Sequence, residues 1–317
     1  MMAQLILDTD IDSDVDDAGA LAVLHALVSA RETSLLGVVC SIPRRACALC
    51  VSAINDWYGR DEIPVGLIRV PDWGANPRYS AYRRHRPDEQ SLYNDVIGGE
   101  WESDHSGVDF PSAVALYREL LQGADEGTVT ICAVGTLAAL AQLLESEPDD
   151  ISGLDGRALV AAKVDRLVTM AIATYPKGAD RFNWAMDRVA AGTVLNAWPT
   201  PITVSEIGGN VKTGRGLIEA APPGNPVRRA YEMWFERSGK DGGRSSWDQL
   251  AVIRAARGCG DVLREHGGLG LTFDVATGKH VWLPLPDGPE RAWIEASVPE
   301  GELADLVETL MVDSVAM

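Results

Sequence analysis

The sequence predicts an α/β fold with a mostly parallel sheet and helices on both of its faces. Short apolar runs alternate with longer segments of helical periodicity along the chain. The apolar runs are continuous rather than alternating, which is typical of parallel strands covered on both sides. Ligands of such sheets bind beyond the carboxyl ends of the strands, so residues that follow a predicted strand are the candidates for function.

The pattern assigns strands and helices in turn. The first predicted strand covers 4–8 and is followed by a helix over 17–30. The next strand, 34–41, is followed by a helix over 46–59. The remaining predicted strands are 63–68, 128–135, 166–173 and 201–207, and the remaining predicted helices are 136–145 and one near 226–237.

Two stretches carry little core pattern. Residues 70–110 are polar and contain Pro, Gly, Arg and Tyr, which predicts a long excursion or lid. Residues 208–243 are similar, apart from the helix near 226–237. We therefore expect a single α/β domain over residues 1–317, with the 70–110 segment as an elaboration on it.

Composition excludes some partners. The 317-residue chain has a formal net charge of −18 and a pI near 4.6, which disfavours nucleic acid polymers and anionic membranes. Five cysteines are a sparse, odd set, typical of reduced thiols in a cytoplasmic protein. The N-terminus lacks the basic region of a signal peptide, and no apolar stretch is long and unbroken enough for a membrane span.

An aspartate cluster follows the first predicted strand. Its members are Asp8, Asp10, Asp12, Asp14, Asp16 and Asp17. Two unit charges about 4 Å apart repel by roughly 4 kcal/mol at an effective dielectric constant near 20. Converging carboxylates therefore need protons or a cation. An oxygen-only cluster favours Ca²⁺ or Mg²⁺, and Ca²⁺ if the ligands are many and irregular. A solvated acidic loop with a helix cap is the plainer alternative.

Two other motifs compete for this segment. An EF-hand loop requires Glu at its twelfth position, but counting from Asp8 or Asp10 gives Gly19 or Leu21. A phosphatase of the haloacid dehalogenase type also begins with a strand and Asp-x-Asp, and would use Asp8 as its nucleophile. Such enzymes usually have Thr or Val two residues after the second Asp, where this chain has Asp12.

The cluster and four later segments together resemble the nucleoside hydrolase (inosine-uridine preferring N-ribohydrolase) family, as a divergent subgroup. The segments, over about residues 5–258, are DTDIDSDVDDAGAL, LLGVVCS with AINDWYGRDEIPVG, TICAVGTLAALAQLL, RLVTMAIATYP with RFNWAMDRVAA, and SSWDQLAVIRAARG. The resemblance implies metal-dependent hydrolysis of an N-glycosidic bond in a ribonucleoside or related ribosyl compound. It also implies a homodimer or homotetramer.

The resemblance assigns roles to individual residues. Asp10, Asp17 and Asp248 would ligate the metal, Ca²⁺ or alternatively Mg²⁺, and the carbonyl of Ala138 would complete the set. Asp10 would also act as general base toward the attacking water. Asp16 and Asn183 would bind hydroxyls of the ribose. Asp8 would orient a metal ligand.

The chain departs from the family pattern at three places. Trp247 stands where members carry the histidine that helps protonate the leaving base, and indole is a poor proton donor. Trp247, like Trp184, could instead stack on an aromatic leaving group, or could be a core residue. Arg181 replaces an acidic residue at the sugar's 5′ end, and Arg44 lies where an Asn is expected. Two arginines there would suit an anionic glycoside, although surface arginines are the simpler explanation.

The first loop and the histidines leave further alternatives. The loop is longer than in classical members, so Asp12 or Asp14 could replace a predicted ligand. His85 and His105 lie in the polar excursion, and either could supply the missing acid or be an exposed loop residue. The changes at Trp247 and Arg181 also favour a catalytically silent homologue that binds a sugar or nucleotide.

Overall fold

The structure, a computed structural model, describes residues 3–12, 14–71, 76, 78–80, 92–240, 242–284 and 288–314. The strands are β1 (Ala3–Thr9), β2 (Thr33–Cys40), β3 (Val65–Leu67), β4 (Val129–Ala133), β5 (Val164–Met170), β6 (Lys177–Ala179), β7 (Ile202–Ser205), β8 (Lys212–Thr213), β9 (Arg244–Ser245), β10 (Leu263–Asp274), β11 (Lys279–Pro284) and β12 (Arg291–Ala296).

Helices connect most of these strands. They are α1 (Asp16–Ser29), α2 (Arg45–Trp57), α3 (Tyr93–Asp104), α4 (Ala113–Gly123), α5 (Ala138–Leu144), α6 (Gly156–Lys163), α7 (Asn183–Met186), α8 (Arg188–Ala197), α9 (Arg215–Ala220), α10 (Pro226–Ser238), α11 (Trp247–Arg257) and α12 (Glu300–Asp313). Every helix among the described residues is too short or too polar to cross a lipid bilayer.

A ten-stranded sheet organises the fold, in the order β3-β2-β1-β4-β5-β7-β12-β10-β11-β6. The first seven strands of this order are parallel to one another, and the last three pair antiparallel. The chain order reverses between β1 and β4, which places a topological switch point at their carboxyl ends. The predicted fold class and the six predicted strands are confirmed.

Both faces of the sheet are buried. Along β1, Leu5 and Leu7 pack into one hydrophobic cluster and Ile6 into the other. The first cluster joins the sheet to α1, α2, α10, α11 and α12, and the second joins it to α4, α5 and α8. The strands are apolar at successive positions because neighbouring side chains along a strand pack into two different hydrophobic clusters, one on each face of the sheet.

The strands after residue 258 were not predicted. β10 is packed mainly through alternate residues in its second half and is interrupted by Gly267 and Gly268, where its register with β12 shifts. Gly268 has a φ of +70°, a conformation that favours glycine. A half-exposed, bulged strand lacks the continuous apolar run that identifies the central strands.

The predicted polar excursion is described only in part. From Leu92 onward it forms α3, which packs closely against α2: a Cβ placed on Gly98 would lie 2.9 Å from Cβ of Leu49. Residues 72–75, 77 and 81–91 lie outside the described residues, so part of the proposed lid and the whole prediction for His85 fall there.

Candidate functional site

A cavity of about 140 Å³ lies at the carboxyl ends of the central strands. Asp10 follows β1, Val134 follows β4 and Met170 ends β5, so the cavity is beyond the carboxyl ends of the strands, at the switch point between β1 and β4. The residues that line it are Asp10, Asp14, Asp16, Asp17, Val134, Met170, Ile172, Asp180, Phe182, Asn183, Arg244, Trp247 and Asp248.

The loop between β1 and α1 is folded onto its own polar groups. The hydroxyl of Thr9 donates to the Asp17 carboxylate and accepts from the backbone N–H of Ile11, 3.2 Å away. Asp16 and Asp17 occupy the first turn of α1, where the helix dipole favours negative charge. These contacts help to direct the carboxylates of Asp14, Asp16 and Asp17 toward one another.

Asp248 reaches the same cavity from the other end of the sequence because α1 and α11 cross at Gly19. A Cβ on Gly19 would lie 2.4 Å from Nε2 of Gln249, the residue after Asp248. That nitrogen donates to the hydroxyl of Tyr231 at 2.9 Å, which fixes the contact. Because glycine has only a hydrogen as its side chain, α1 and α11 can pack closely at position 19. This close packing sets the distance between Asp17 and Asp248.

The carboxylates destabilise one another's charged forms. Burial raises the pKa of Asp10 well above its usual range, and repulsion from Asp17 and Asp14 raises it further. Burial likewise raises the pKa of Asp17 and of Asp248, with repulsion from neighbouring aspartates adding to it. Burial also raises the pKa of Asp16 to about 6, even though the Arg244 guanidinium opposes the shift.

Arg244 in β9 is a site residue that the sequence analysis missed. Its guanidinium contacts the Asp16 carboxylate at 2.7 Å and the Asp14 carboxylate at 3.1 Å. It is one of the residues that line the cavity, and it lies over the ring of Trp234, 5.4 Å from the ring centre. Its position directly before the late motif, three residues before Trp247, was the available signal.

The remaining donor set fits a hard cation. Asp10, Asp17 and Asp248 are buried and form no salt bridge with a basic residue among those described, although the nearby charge of Arg244 opposes the rise in the pKa of Asp17. Carboxylate oxygens of Asp14, Asp16 and Asp17 lie within 4.8 Å of one another. No histidine or cysteine accompanies them in the described part of the cavity wall, and a set dominated by carboxylate oxygens is the donor chemistry of Ca²⁺ and Mg²⁺.

Asp8 is held inside the sheet rather than exposed to the cavity. Its side chain has no solvent exposure and accepts a hydrogen bond from the Tyr117 hydroxyl at 2.6 Å. Burial raises the pKa of Asp8 to about 7. A nucleophile must reach its substrate, so this position favours the orienting role and does not support the phosphatase alternative.

Asn183 and Asp180 shape the opposite wall. The Asn183 amide nitrogen donates to the carbonyls of Val134 (2.9 Å) and Met170 (3.1 Å), which links the ends of β4 and β5. Asp180, which the sequence analysis also missed, accepts from the backbone N–H groups of Ile172, Phe182 and Trp184 at 2.9–3.0 Å. Its carboxylate therefore organises the loop that carries Asn183. In the sequence, Asp180 immediately precedes the RFNWAMDRVAA segment that resembles the family.

The two tryptophans have different roles. Trp247 is partly buried on the cavity wall, and Gly208 and Gly209 pack against it, where a Cβ would come within 2.8 Å. Trp184 has no solvent exposure and meets the rings of Phe273 and His280 edge-on in the core. Stacking of Trp184 on a leaving group is therefore not supported.

Three predicted residues are not on the cavity wall. Arg181 is exposed, and Ala138 is buried as the first residue of α5, with Val134 lining the cavity instead. The guanidinium of Arg44 is bound by the carboxylates of Asp12 and Asp95. The substrate role of Arg181 and the metal-ligand role of Ala138 thus remain predictions without a cavity contact.

None of the four histidines that the structure describes lines the cavity. His25 is buried between Asn55 and Arg60, and His105 stacks on Trp101 at the surface. The other two stack on or abut tryptophans elsewhere in the sheet; they are His266 and His280.

The sequence and the fold are both similar to those of known proteins. Residues 5–257 match the family model described as inosine-uridine preferring nucleoside hydrolase. The solved inosine-uridine preferring nucleoside hydrolase from Bacillus anthracis is 18% identical, with a TM-score of 0.66 over 98% of this chain and 99% of that one. No curated protein sequence matches the chain significantly.

Two further solved structures share the fold. The purine-preferring ribonucleoside hydrolase from Gardnerella vaginalis is 14% identical, with a TM-score of 0.64 over 99% of each chain. The type III effector protein XopQ, solved with adenosine diphosphate ribose, is 13% identical, with a TM-score of 0.72 over 99% of this chain and 95% of that one. Identities this low show a common fold only.

Replacing Gly19 with Ala should loosen the junction between α1 and α11. The added methyl group would collide with the Gln249 amide and the Tyr231 hydroxyl. We expect the free energy of unfolding, measured by urea denaturation, to fall by about 1–3 kcal/mol. Gly99→Ala in α3 is the matched control: its Cβ would meet nothing within 4 Å, and it should be neutral or slightly stabilising. Equal effects of both changes would contradict the close crossing.

His25 should make folding stability depend on pH. Burial, and the positive charge of Arg60 beside it, lower the pKa of His25 from 6.5 to about 3. The unfolded chain therefore binds a proton that the folded chain does not, and stability is lost as the pH falls from 6.5 toward 3. Between pH 7 and pH 5 the advantage of the wild type over His25→Gln should shrink by about 2 kcal/mol. Parallel stability curves would show that His25 does not titrate this way.

Proposed function

The chain belongs to the inosine-uridine preferring nucleoside hydrolase family, and we propose that it hydrolyses the N-glycosidic bond of a ribosyl compound with the help of a divalent cation. The observation that carries this proposal is the convergence of Asp10, Asp17 and Asp248 on one small cavity. These carboxylates are buried and form no salt bridge with a basic residue in the described structure, so a bound cation would stabilise their charged forms.

We propose Asp10, Asp17 and Asp248 as metal ligands, with Ca²⁺ favoured over Mg²⁺ because six carboxylates line the cavity and Ca²⁺ accepts many irregularly placed oxygen ligands. A bound cation would hold vicinal ribose hydroxyls and make a water molecule more acidic. The carbonyl of Ala138 was also predicted as a ligand. Since Val134 lines the cavity there, a contribution from Ala138 would require the β4–α5 turn to shift.

The chain's own groups would then act on sugar and water. Asp10 would take the proton from the attacking water, since Ca²⁺ acidifies water less than Zn²⁺ does. Asp16 and Asn183 would bind ribose hydroxyls. Because the Asn183 amide nitrogen is already occupied by two carbonyls, its oxygen is the atom left to accept from a hydroxyl. Arg244 holds the Asp16 carboxylate in position for the same purpose.

The electrostatics of the cavity suit the reaction. Cleavage of an N-glycosidic bond passes through a state with positive charge on the sugar ring. Fixed carboxylates around the cavity, which need no reorganisation during the reaction, would stabilise that charge. The ring of Trp247 lines the cavity and would stack on an aromatic leaving group.

A catalytically silent binding protein is the second candidate. No histidine lines the described part of the cavity, and a solved structural neighbour of the same fold, XopQ, was obtained with adenosine diphosphate ribose. Binding of a nucleoside or nucleotide without release of reducing sugar would favour this alternative.

We also propose that the protein is cytoplasmic and works as a single domain within a homodimer or homotetramer. Light scattering can test the oligomeric state.

Calcium should bind through Asp248. Titration calorimetry on the chelator-treated protein should show a single high-affinity class of Ca²⁺ site, and Asp248→Asn should weaken it by more than about 10-fold. Asp95→Asn removes a carboxylate that contacts Arg44 outside the cavity and should leave the affinity unchanged. Identical calcium affinities for wild type and Asp248→Asn would remove Asp248 from the ligand set.

Turnover should depend on Asp10. In a reducing-sugar assay over nucleosides and 5′-nucleotides, we expect activity that chelation removes and calcium restores. Asp10→Asn should lower kcat by about 10²–10⁴-fold, the contribution of a general base. Full activity of this variant, with Asp95→Asn assayed in parallel, would exclude Asp10 from the mechanism.

A further inference from the structure

The carboxylates that line the cavity contact other groups of the protein or are proposed to bind the cation. Asp14 and Asp16 pair with Arg244, and Asp180 accepts three backbone N–H groups. The other three carboxylates, those of Asp10, Asp17 and Asp248, are the proposed cation ligands. In this structure each of them thus serves as a hydrogen-bond acceptor, as a partner of a guanidinium or as a proposed cation ligand, roles that the ionised carboxylate fills.

The other polar groups on the described cavity wall are equally poor proton donors. The Trp247 indole N–H is not acidic, and a guanidinium such as that of Arg244 stays protonated in proteins. The histidines that the structure describes lie elsewhere. On the described wall, then, no group supplies the proton that a neutral nucleobase needs to depart readily.

The same wall suits a positively charged aromatic ring. Six carboxylates and one guanidinium give the lining residues a formal charge of −5, and a bound divalent cation would leave −3. Phe182 and Trp247 line the same cavity, and a cation over an aromatic face is attracted by the ring's electron density. Negative charge and aromatic surface together form a binding environment for a cationic heterocycle.

We infer that the site selects ribosyl compounds whose leaving group is a cationic aromatic heterocycle, such as an N-ribosylpyridinium or an N7-alkylated purine nucleoside; this rests on the proposed glycosidase function. Water adds to the anomeric carbon and loses its proton to Asp10. The carbon–nitrogen bond breaks, and its electron pair neutralises the charge on the ring nitrogen. The products are ribose and a neutral heterocycle, so no proton is delivered to the leaving group.

A matched pair of nucleosides tests this preference in the whole, calcium-loaded protein. N7-methylguanosine at mildly acidic pH is cationic, and guanosine is its neutral counterpart. After division by the uncatalysed rate constants, kcat/KM for N7-methylguanosine should exceed that for guanosine by at least about 10²-fold, the lower range of a general acid's contribution. The inactive Asp10→Asn variant should also bind N7-methylguanosine more tightly than guanosine, measured by tryptophan fluorescence.

A third substrate separates the two proposals. 4-Nitrophenyl riboside is neutral, and its leaving group needs no proton, so a glycosidase should hydrolyse it whichever nucleosides it prefers. Turnover of this substrate with equal corrected rates for the two nucleosides would overturn the inferred preference and leave the glycosidase intact. No turnover of any of the three would overturn the proposed function, and the preference with it.

Variants at Trp247 and His85 complete the test. Trp247→His adds a proton donor to the cavity wall and should raise activity on guanosine, whereas Trp247→Phe keeps an aromatic face and should keep the cationic preference. His85→Ala should change neither nucleoside's rate. Selective loss of guanosine turnover in His85→Ala would show that a histidine acid operates and would contradict the inference.

Discussion

Repulsion among buried carboxylates governs the architecture of the carboxyl end of the sheet. Four of the charged groups there, Asp10, Asp16, Asp17 and Asp248, have pKa values raised by burial. The surrounding structure offsets part of this cost. Arg244 pairs with Asp14 and Asp16, and the Thr9 hydroxyl donates to Asp17. What stays unpaired is a set of oxygen atoms that suits a divalent cation.

The fold creates this arrangement by bringing distant segments to a single point. The strands β1 and β4 pair to their ends, and the helices that follow them, α1 and α5, pack on opposite faces of the sheet. This leaves room beyond the strand ends, which the Asp-rich loop enters from one side. The crossing of α1 and α11 at Gly19 brings Asp248 to the same place from late in the chain. The fully buried Asp8 and Tyr117 support the strand beneath. Trp247, next to Asp248, adds an aromatic face, which connects the cation site with the chemistry of the leaving group.

Much of this could be predicted from the sequence, because its strongest signals are local. Continuous apolar strands and the aspartate run after β1 placed the sheet and the centre of the site within a few residues. Motif resemblance placed Asp248 and Asn183 in the cavity although they lie far along the chain. Local patterns could not reveal Arg244 or Asp180, because their roles depend on contacts with other segments. Local patterns also do not show where Trp184, Arg181 and Ala138 lie, since periodicity does not tell whether a side chain points into the core, the solvent or the cavity.

A crystal structure of the calcium-loaded protein tests the central claim most directly. We expect one ion in the cavity with carboxylate oxygens of Asp10, Asp17 and Asp248 at about 2.3–2.6 Å. An ion bound only by Asp14 and Asp16 with Arg244 displaced, or Asp248 turned away from Asp10 and Asp17 in a cavity without an ion, would contradict it.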